Sequence, residues 1–401
     1  MKFIHTADLH LASPFQGLTD IPHQLWQRVH AATFAAFKKI VTAAIDEDVD
    51  FMLIVGDVFD REQKSIAAID FFVTQLQRLA AAGIPVFLSY GNHDFNTGTD
   101  QQIDLPANVR VFGPTVSTKH LTLSDGTSVA ITGFSYARRW VDEDVVASFP
   151  VKKSADWQIG MLHGAQYQAG GSNHYAPFTL DELRAKHYDY WALGHIHQHQ
   201  LLNAQPPIVY SGIPQGRHKN EGGQHGYYLV ESRGHQLVPS FEPLDGIAWT
   251  QAGVDLSTVT NPQELTEAAT QAGAKLTRNN LTLVALQLEN TDHLSPECRT
   301  MLRDGTLLNH LQDRLAQQDQ IKWWPYELSI APTANLPKLT DLDQRFWTDA
   351  QKAVFTPENI AHVAQPLLRQ DVLFDQLGAE LTPEKLYQLA KQVLGGISSE
   401  N

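Results

Sequence analysis

Five apolar runs in the first half of the chain each end in a short cluster of aspartate, asparagine or histidine. Helical patterns separate the first three runs, so the chain begins β-α-β-α-β, which favours a sheet with helices on its outer faces. Because α/β folds place ligand sites at the carboxyl ends of their strands, we expect the five clusters to meet in one site. The clusters are DLH (8–10), GDVFDR (56–61), GNHD (91–94), HG (163–164) and GHIH (194–197).

The pattern changes from about residue 109 to short strands, with one short helix near 179–186. Two stacked sheets flanked by helices would accommodate both parts, so the predicted fold class is α/β with a four-layer α/β/β/α core. Loop-forming residues and the loss of histidine indicate a boundary within 243–262. The predicted domains are the core domain (1–245), a small α+β capping domain (246–335) and a helical C-terminal segment (336–401).

Histidine is distributed unevenly, with 15 of the 18 residues in positions 1–245. Since histidine is the usual nitrogen ligand of transition metals, the core domain is expected to bind metal. The net charge of −14 argues against wholesale electrostatic adhesion to nucleic acid, although bound cations can invert the charge of a cleft. A single cysteine and the lack of a long apolar run indicate a cytoplasmic protein without a membrane span.

The spacing of the first and last clusters suggests how they would meet a metal. On a strand, residues i and i+2 point to the same side, so Asp8 and His10 would reach one ion together. His195 and His197 would likewise share a side. Two ions about 3.5–4 Å apart, the usual two-metal spacing, would let each of these histidines bind a different ion.

The ordered set D-x-H, G-D, G-N-H-D, H and G-H-x-H resembles the calcineurin-like metallophosphoesterase superfamily over residues 1 to about 215. Within it, MKFIHTADLHL and GDVFD resemble DNA repair exonucleases of the SbcD type, and the run from 211 to 231 is similar to the YhaO-type branch. The resemblance implies the four-layer core, two divalent metal ions and hydrolysis of phosphodiester bonds in DNA. It also implies a partner, an SMC-like ATPase with long coiled coils.

The resemblance further implies two ligand sets that share one carboxylate, Asp57, as the bridge. The first set is Asp8, His10, Asp57 and His197. The second set is Asp57, Asn92, His163 and His195. This mixture of nitrogen and oxygen ligands favours Mn²⁺ over Mg²⁺ and leaves Fe²⁺ and Zn²⁺ open.

His93 follows a ligand and, by the same resemblance, would face the substrate and assist departure of the sugar oxygen. Such a histidine needs an anionic neighbour, and Asp60 and Asp94 are the candidates. Asp60 stands where archaeal and eukaryotic relatives carry a second histidine. Three basic residues are candidate substrate contacts: Arg61, placed like the phosphate clamp of protein serine/threonine phosphatases, and Arg217 and Lys219 in PQGRHKN.

The leading hypothesis is a Mn²⁺-dependent DNA nuclease, an exonuclease on duplex ends with single-strand endonuclease activity as a further option. One alternative is a phosphodiesterase or phosphatase acting on nucleotides or phosphoproteins. Another is a DNA-end tether whose metals are structural. Helices within 371–396 would dock the ATPase, and the helix at 22–47 would form a homodimer or simply pack on the core.

Overall fold

The computed structural model of the chain describes residues 1–18, 21–60, 65–95, 103–167, 173–276, 280–331, 349–350, 352–368, 382–383, 386–387 and 390. Its strands are β1 (Lys2–Thr6), β2 (Phe51–Val55), β3 (Val86–Ser89), β4 (Val109–Val111), β5 (Ser117–Thr122), β6 (Ser128–Gly133), β7 (Trp157–His163), β8 (Tyr190–Gly194), β9 (Gln200–Ala204), β10 (Pro207–Tyr210), β11 (Gly226–Arg233), β12 (Gln236–Pro243), β13 (Ala248–Asp255), β14 (Thr282–Glu289) and β15 (Trp323–Ile330).

Its helices are α1 (His23–His30), α2 (Ala32–Asp46), α3 (Ile66–Ala81), α4 (Leu180–Ala185), α5 (Pro262–Lys275), α6 (Pro296–Arg303), α7 (Thr306–Ala316) and α8 (Pro357–Leu368). A short 3₁₀ helix covers Val146–Ser148. The helix that the sequence predicted over 22–47 is divided at Ala31 into α1 and α2, and the one predicted over 296–318 is divided at Gly305, whose φ is +78°. A left-handed residue cannot continue an α-helix.

Two six-stranded sheets form the core. The strand order is β12-β11-β1-β2-β3-β4 in the first sheet and β5-β6-β7-β8-β10-β9 in the second. Strand β1 is parallel to β2 and antiparallel to β11, while β6, β7, β8 and β10 are parallel neighbours. The strands that precede the five clusters are thus adjacent within their sheets.

Alternation along the strands separates three apolar layers. Odd-numbered side chains such as Phe3, Phe51 and Phe87 face the second sheet and pack between the two sheets. Even-numbered ones such as Ile4 and Met52 pack outward against α2 and α3. On the far side of the second sheet, Trp191 and Leu193 of β8 belong to a third buried cluster. This cluster also includes Leu183 of α4 and Phe149 of the 134–149 segment. These layers confirm the predicted α/β class and its order of α/β/β/α.

Two strands were missed by the sequence patterns. Strand β9 is a half-exposed edge strand without a buried side chain, so it carries no apolar alternation. Strand β13 lies inside the predicted 243–262 boundary, because its buried side chains, Trp249, Ala252 and Val254, do not alternate strictly. It forms a three-stranded sheet in the order β13-β14-β15.

The chain divides into two compact units, one made of 1–252, 261–286 and 296–328, the other of 253–260, 287–295 and 329–401. The domain limits at 245 and 335 stay predictions. The predicted docking segment 371–396 lies almost entirely outside the described residues. None of the helices in the described ranges has the length and apolar character needed to cross a bilayer.

Candidate metal centre

The polar clusters meet where β1, β2 and β3 of one sheet end beside β7 and β8 of the other. Asp8, His10, Asp57, Asn92 and His163 are all buried here, with exposures of 2% or less. His195 and His197 follow directly after β8. The seven side chains that the sequence suggested as ligands therefore lie in one place, at the carboxyl ends of five strands.

The backbone places these side chains in a way that the sequence argument did not foresee. Strand β1 ends at Thr6 and β8 at Gly194, so the predicted strand alternation does not position the ligands and that prediction was wrong. Instead, four ligands have left-handed backbone angles: Asp8 (φ 53°), His10 (42°), Asp57 (51°) and His195 (96°). Such angles are strained in residues with a side chain and persist where the surroundings enforce them.

Two glycines allow the sheets to approach at this edge. A Cβ on Gly56, which has φ +79°, would lie 2.2 Å from His163 Nδ1. A Cβ on Gly194 would lie 2.1 Å from the carbonyl oxygen of Val55. Side chains at either position would therefore push the strand ends apart.

The first ligand group combines Asp8, His10 and His197, whose ligand atoms lie within 4.8 Å of one another. His10 Nδ1 donates to Asp60 Oδ1 at 2.7 Å, and His197 Nδ1 donates to Glu221 Oε1 at 2.5 Å. In a neutral ring this arrangement leaves Nε2 as the nitrogen without a proton, and the two Nε2 atoms face each other at 3.3 Å. Two facing lone pairs repel unless a cation lies between them, so this donor set fits a metal ion.

The second ligand group has the same character. His163 Nδ1 donates to the carbonyl oxygen of Val55 at 3.0 Å, which turns Nε2 toward Asn92 Oδ1 at 2.9 Å and Asp57 Oδ2 at 3.4 Å. His195 Nδ1 lies 3.1 Å from the same Asn92 oxygen. The amide and carboxylate oxygens, together with the ring nitrogens once His163 is neutral, form a donor set that suits a divalent cation. Asp57 Oδ2 is also 3.9 Å from His10 Nε2 and so faces both groups.

Burial makes the cluster electrostatically unusual. It raises the pKa of Asp8 to about 6, although His163 and His197 oppose the shift. It lowers the pKa of His10 to about 4. Asp57 resists the effect of its own burial, because His163 and His93 hold its pKa well below the ordinary range. The Asp57 carboxylate and the neutral His10 ring are thus already in the forms that bind divalent metals.

Metal binding at the second group is expected to tighten as the pH rises toward 9. Burial disfavours the charged ring of His163, but nearby Asp57 outweighs it and raises the pKa of His163 to about 9. Since the metal needs the neutral ring, binding below that pH should release a proton. Calorimetric titration of Mn²⁺ in two buffers of different ionisation enthalpy measures this release, and its absence below pH 9 would contradict the expectation. In the metal-free protein, the contribution of His163 to folding stability is complete below pH 6.5 and is lost as the pH rises through about 9.

His93 lies at the edge of the ligand cluster with 29% of its side chain exposed, and its Nδ1 is 3.1 Å from Asp60 Oδ1. Asp60 is therefore the anionic partner in the structure. Asp94 instead accepts backbone N–H groups from Gly91 and Val58, both at 2.7 Å, and ties the loops after β2 and β3 together.

The three basic candidates have different surroundings. Arg217 is largely buried and forms ion pairs with Asp60 and Glu221. Lys219 pairs with Glu327 on the surface at 2.8 Å. Arg61 lies outside the described residues.

Sequence reasoning missed Glu221, which is 7% exposed and accepts a hydrogen bond from His197 Nδ1. A carboxylate in this position orients a ligand histidine and increases its basicity. The only signal in the sequence was a glutamate four residues after Arg217 in RHKNE, and the loop that carries it gave no hint of burial.

Comparison with known proteins places these features among relatives. Residues 1–199 match the family described as calcineurin-like phosphoesterase. The chain is 37% identical over 352 residues to the uncharacterized metallophosphoesterase YhaO of Bacillus subtilis, spanning 86% of this chain and 85% of that protein. It is 25% identical over 258 residues to the DNA double-strand break repair protein Mre11 of Methanocaldococcus jannaschii, spanning 61% of this chain and 66% of that protein. The similarity to YhaO thus extends well beyond the ligand-bearing region.

Proposed function

Since the chain belongs to the calcineurin-like metallophosphoesterase family, we propose that this hydrolase uses its metal centre to cleave phosphodiester bonds in DNA. The observation that carries the proposal is the pairing of His93 with Asp60 beside the buried ligand cluster. Hydrolysis of an unactivated phosphoester such as a DNA linkage benefits from such a group, because a sugar alkoxide is a poor leaving group until it is protonated.

The chain's own residues fit two metal ions. Asp8, His10 and His197 would hold one, and Asn92, His163 and His195 the other, with Asp57 facing both. The bound ions would supply Lewis-acid polarisation of the phosphate and neutralisation of its charge. The mixture of imidazole and carboxylate ligands favours Mn²⁺.

His93 is the residue proposed to act on the leaving group. Hydrolysis adds water across a P–O bond, so the departing sugar oxygen gains a proton as the bond breaks. Asp60 accepts a hydrogen bond from His93 Nδ1, which stabilises the charged ring. Nε2 is then the nitrogen that would carry the transferred proton. Asp60 is in turn held by Ser13, whose hydroxyl donates to it.

DNA is proposed as the substrate on two grounds, the SbcD-like motifs and the similarity to archaeal proteins named for DNA double-strand break repair. The net charge of −14 means that DNA would be attracted locally, by the metal-loaded centre, and not by the surface as a whole. An SMC-like ATPase partner and a homodimer are part of the same proposal, and so is a cytoplasmic location.

The test is cleavage by the purified full chain of end-labelled duplex and single-stranded DNA, with Mn²⁺, with Mg²⁺ and with EDTA. We expect cleavage with Mn²⁺ and none with EDTA. Hydrolysis of nucleotides or phosphopeptides without cleavage of DNA would instead favour the phosphatase alternative. Metal-dependent binding of DNA ends without hydrolysis of any phosphoester would favour the tether.

A further inference from the structure

Arg217 lies between two carboxylates that belong to different parts of the fold. Its Nη1 is 3.3 Å from Asp60 Oδ2, in the loop after β2. Its Nη2 is 3.5 Å from Glu221 Oε1, in the loop before β11. The Arg217 side chain is only 13% exposed, and its own backbone N–H donates to Glu221 Oε2 at 2.6 Å. Both terminal nitrogens of the guanidinium are therefore paired with protein carboxylates.

Each of these carboxylates holds one histidine of the first ligand group. Asp60 accepts from His10 Nδ1 and Glu221 accepts from His197 Nδ1. The contacts form a closed ring that runs from Arg217 through Asp60 and His10, across the two facing Nε2 atoms, and back through His197 and Glu221. The Nε2–Nε2 contact is the one step in this ring at which two neutral imidazoles have no hydrogen to share.

We propose that Arg217 is a positioning residue for the metal centre, which fixes both histidines of the first ligand group through their carboxylates. The guanidinium suits this task because its planar fork addresses two oxygens in different directions at once. Its charge also compensates Asp60 and Glu221, which would otherwise repel each other in a largely buried space. Without the guanidinium, each carboxylate would gain freedom to rotate. The two Nε2 atoms would then no longer be held pointing at the same metal position.

The ring argues against the role that the sequence suggested for Arg217, a direct contact to DNA. A phosphate clamp presents free N–H groups to solvent, whereas both terminal nitrogens of Arg217 face carboxylates. A substrate phosphate would have to displace one of them and so release a ligand histidine. Lys219, which is more than half exposed, has no such constraint.

The inference rests on the metal dependence that is part of the proposed function, but its readout is metal binding and involves no nucleic acid. Mn²⁺ is titrated calorimetrically into the metal-free full chain carrying Arg217→Met or Arg217→Lys. We expect Arg217→Met to weaken Mn²⁺ binding by about 10–100-fold, the usual cost of losing a residue that supports metal ligands. Arg217→Lys keeps the charge but not the fork, so an intermediate loss is expected. Thermal unfolding in EDTA shows that each variant is folded.

A mutant cycle separates this role from general destabilisation. In a background that already carries Asp60→Asn and Glu221→Gln, Arg217→Met should add little further loss, because the groups through which it acts are gone. A full additional loss in that background would overturn the proposal. So would normal Mn²⁺ affinity in both Arg217 variants together with weakened DNA binding, which would restore Arg217 as a substrate contact.

Discussion

Asp57→Asn is expected to reduce metal-dependent hydrolysis by roughly 10³-fold or more. Asp57 is 1% exposed, and its Oδ2 faces His10 at 3.9 Å and His163 at 3.4 Å, so it serves both ligand groups. Asparagine keeps the shape but removes the negative charge. Lewis-acid stabilisation is worth several kcal/mol, and each 1.4 kcal/mol corresponds to about a factor of ten in rate.

The measurement is kcat/KM on bis(p-nitrophenyl) phosphate together with the stoichiometry of Mn²⁺ binding, which should fall below that of the unmodified chain. Asp181→Asn is the matched control, because its side chain is 92% exposed and pairs only with Arg184 on the same helix turn among its described ion pairs. Full Mn²⁺ stoichiometry with more than a tenth of the activity in Asp57→Asn would show that Asp57 does not bridge.

His93→Gln is expected to lower kcat on DNA by about 10²–10⁴-fold, the usual contribution of a general acid. Mn²⁺ binding should change far less than kcat, because His93 belongs to neither of the two proposed ligand sets and its described ion pair is with Asp60. The effect should depend on the leaving group. A p-nitrophenolate leaves without a proton, so hydrolysis of bis(p-nitrophenyl) phosphate by the same variant should be close to normal.

The control for this pair of substrates is His235→Ala, in the exposed turn between β11 and β12. It should leave both activities unchanged. Equal losses on DNA and on the activated ester in His93→Gln would mean that His93 orients the phosphate and does not protonate the leaving oxygen.

The sequence was sufficient to predict that the candidate ligands share one site, because the ends of strands can be recognised from local patterns. The apolar runs before Asp8, Asp57 and His163 have the length of strands, and the β-α-β order makes the first two neighbours in one sheet. The same reasoning gave the two stacked sheets. It succeeded wherever burial and alternation within a few residues carry the information.

What the sequence could not supply is the way in which the ligands are held. The left-handed angles at Asp8 and His195 depend on contacts with the opposite sheet, such as the His195 backbone N–H that donates to Asp8. The burial of Glu221 and the double pairing of Arg217 depend on a loop that meets the site from about 160 residues away, counting from Asp60. Such long-range contacts leave no periodic trace in a single chain.

The position of β1 in its sheet has a consequence for synthesis on the ribosome. Strand β1 leads directly into two ligands, yet it lies between β2 and β11, and the hydrogen bond that joins Asp8 to His195 spans 187 positions. Chains emerge from the amino end, and pairings between distant residues form slowly. The first ligands thus leave the ribosome long before their partners exist, so the ion cannot template the early steps of folding. The metal-binding cluster is therefore complete only after β8 of the second sheet has been made and His195 can donate to Asp8.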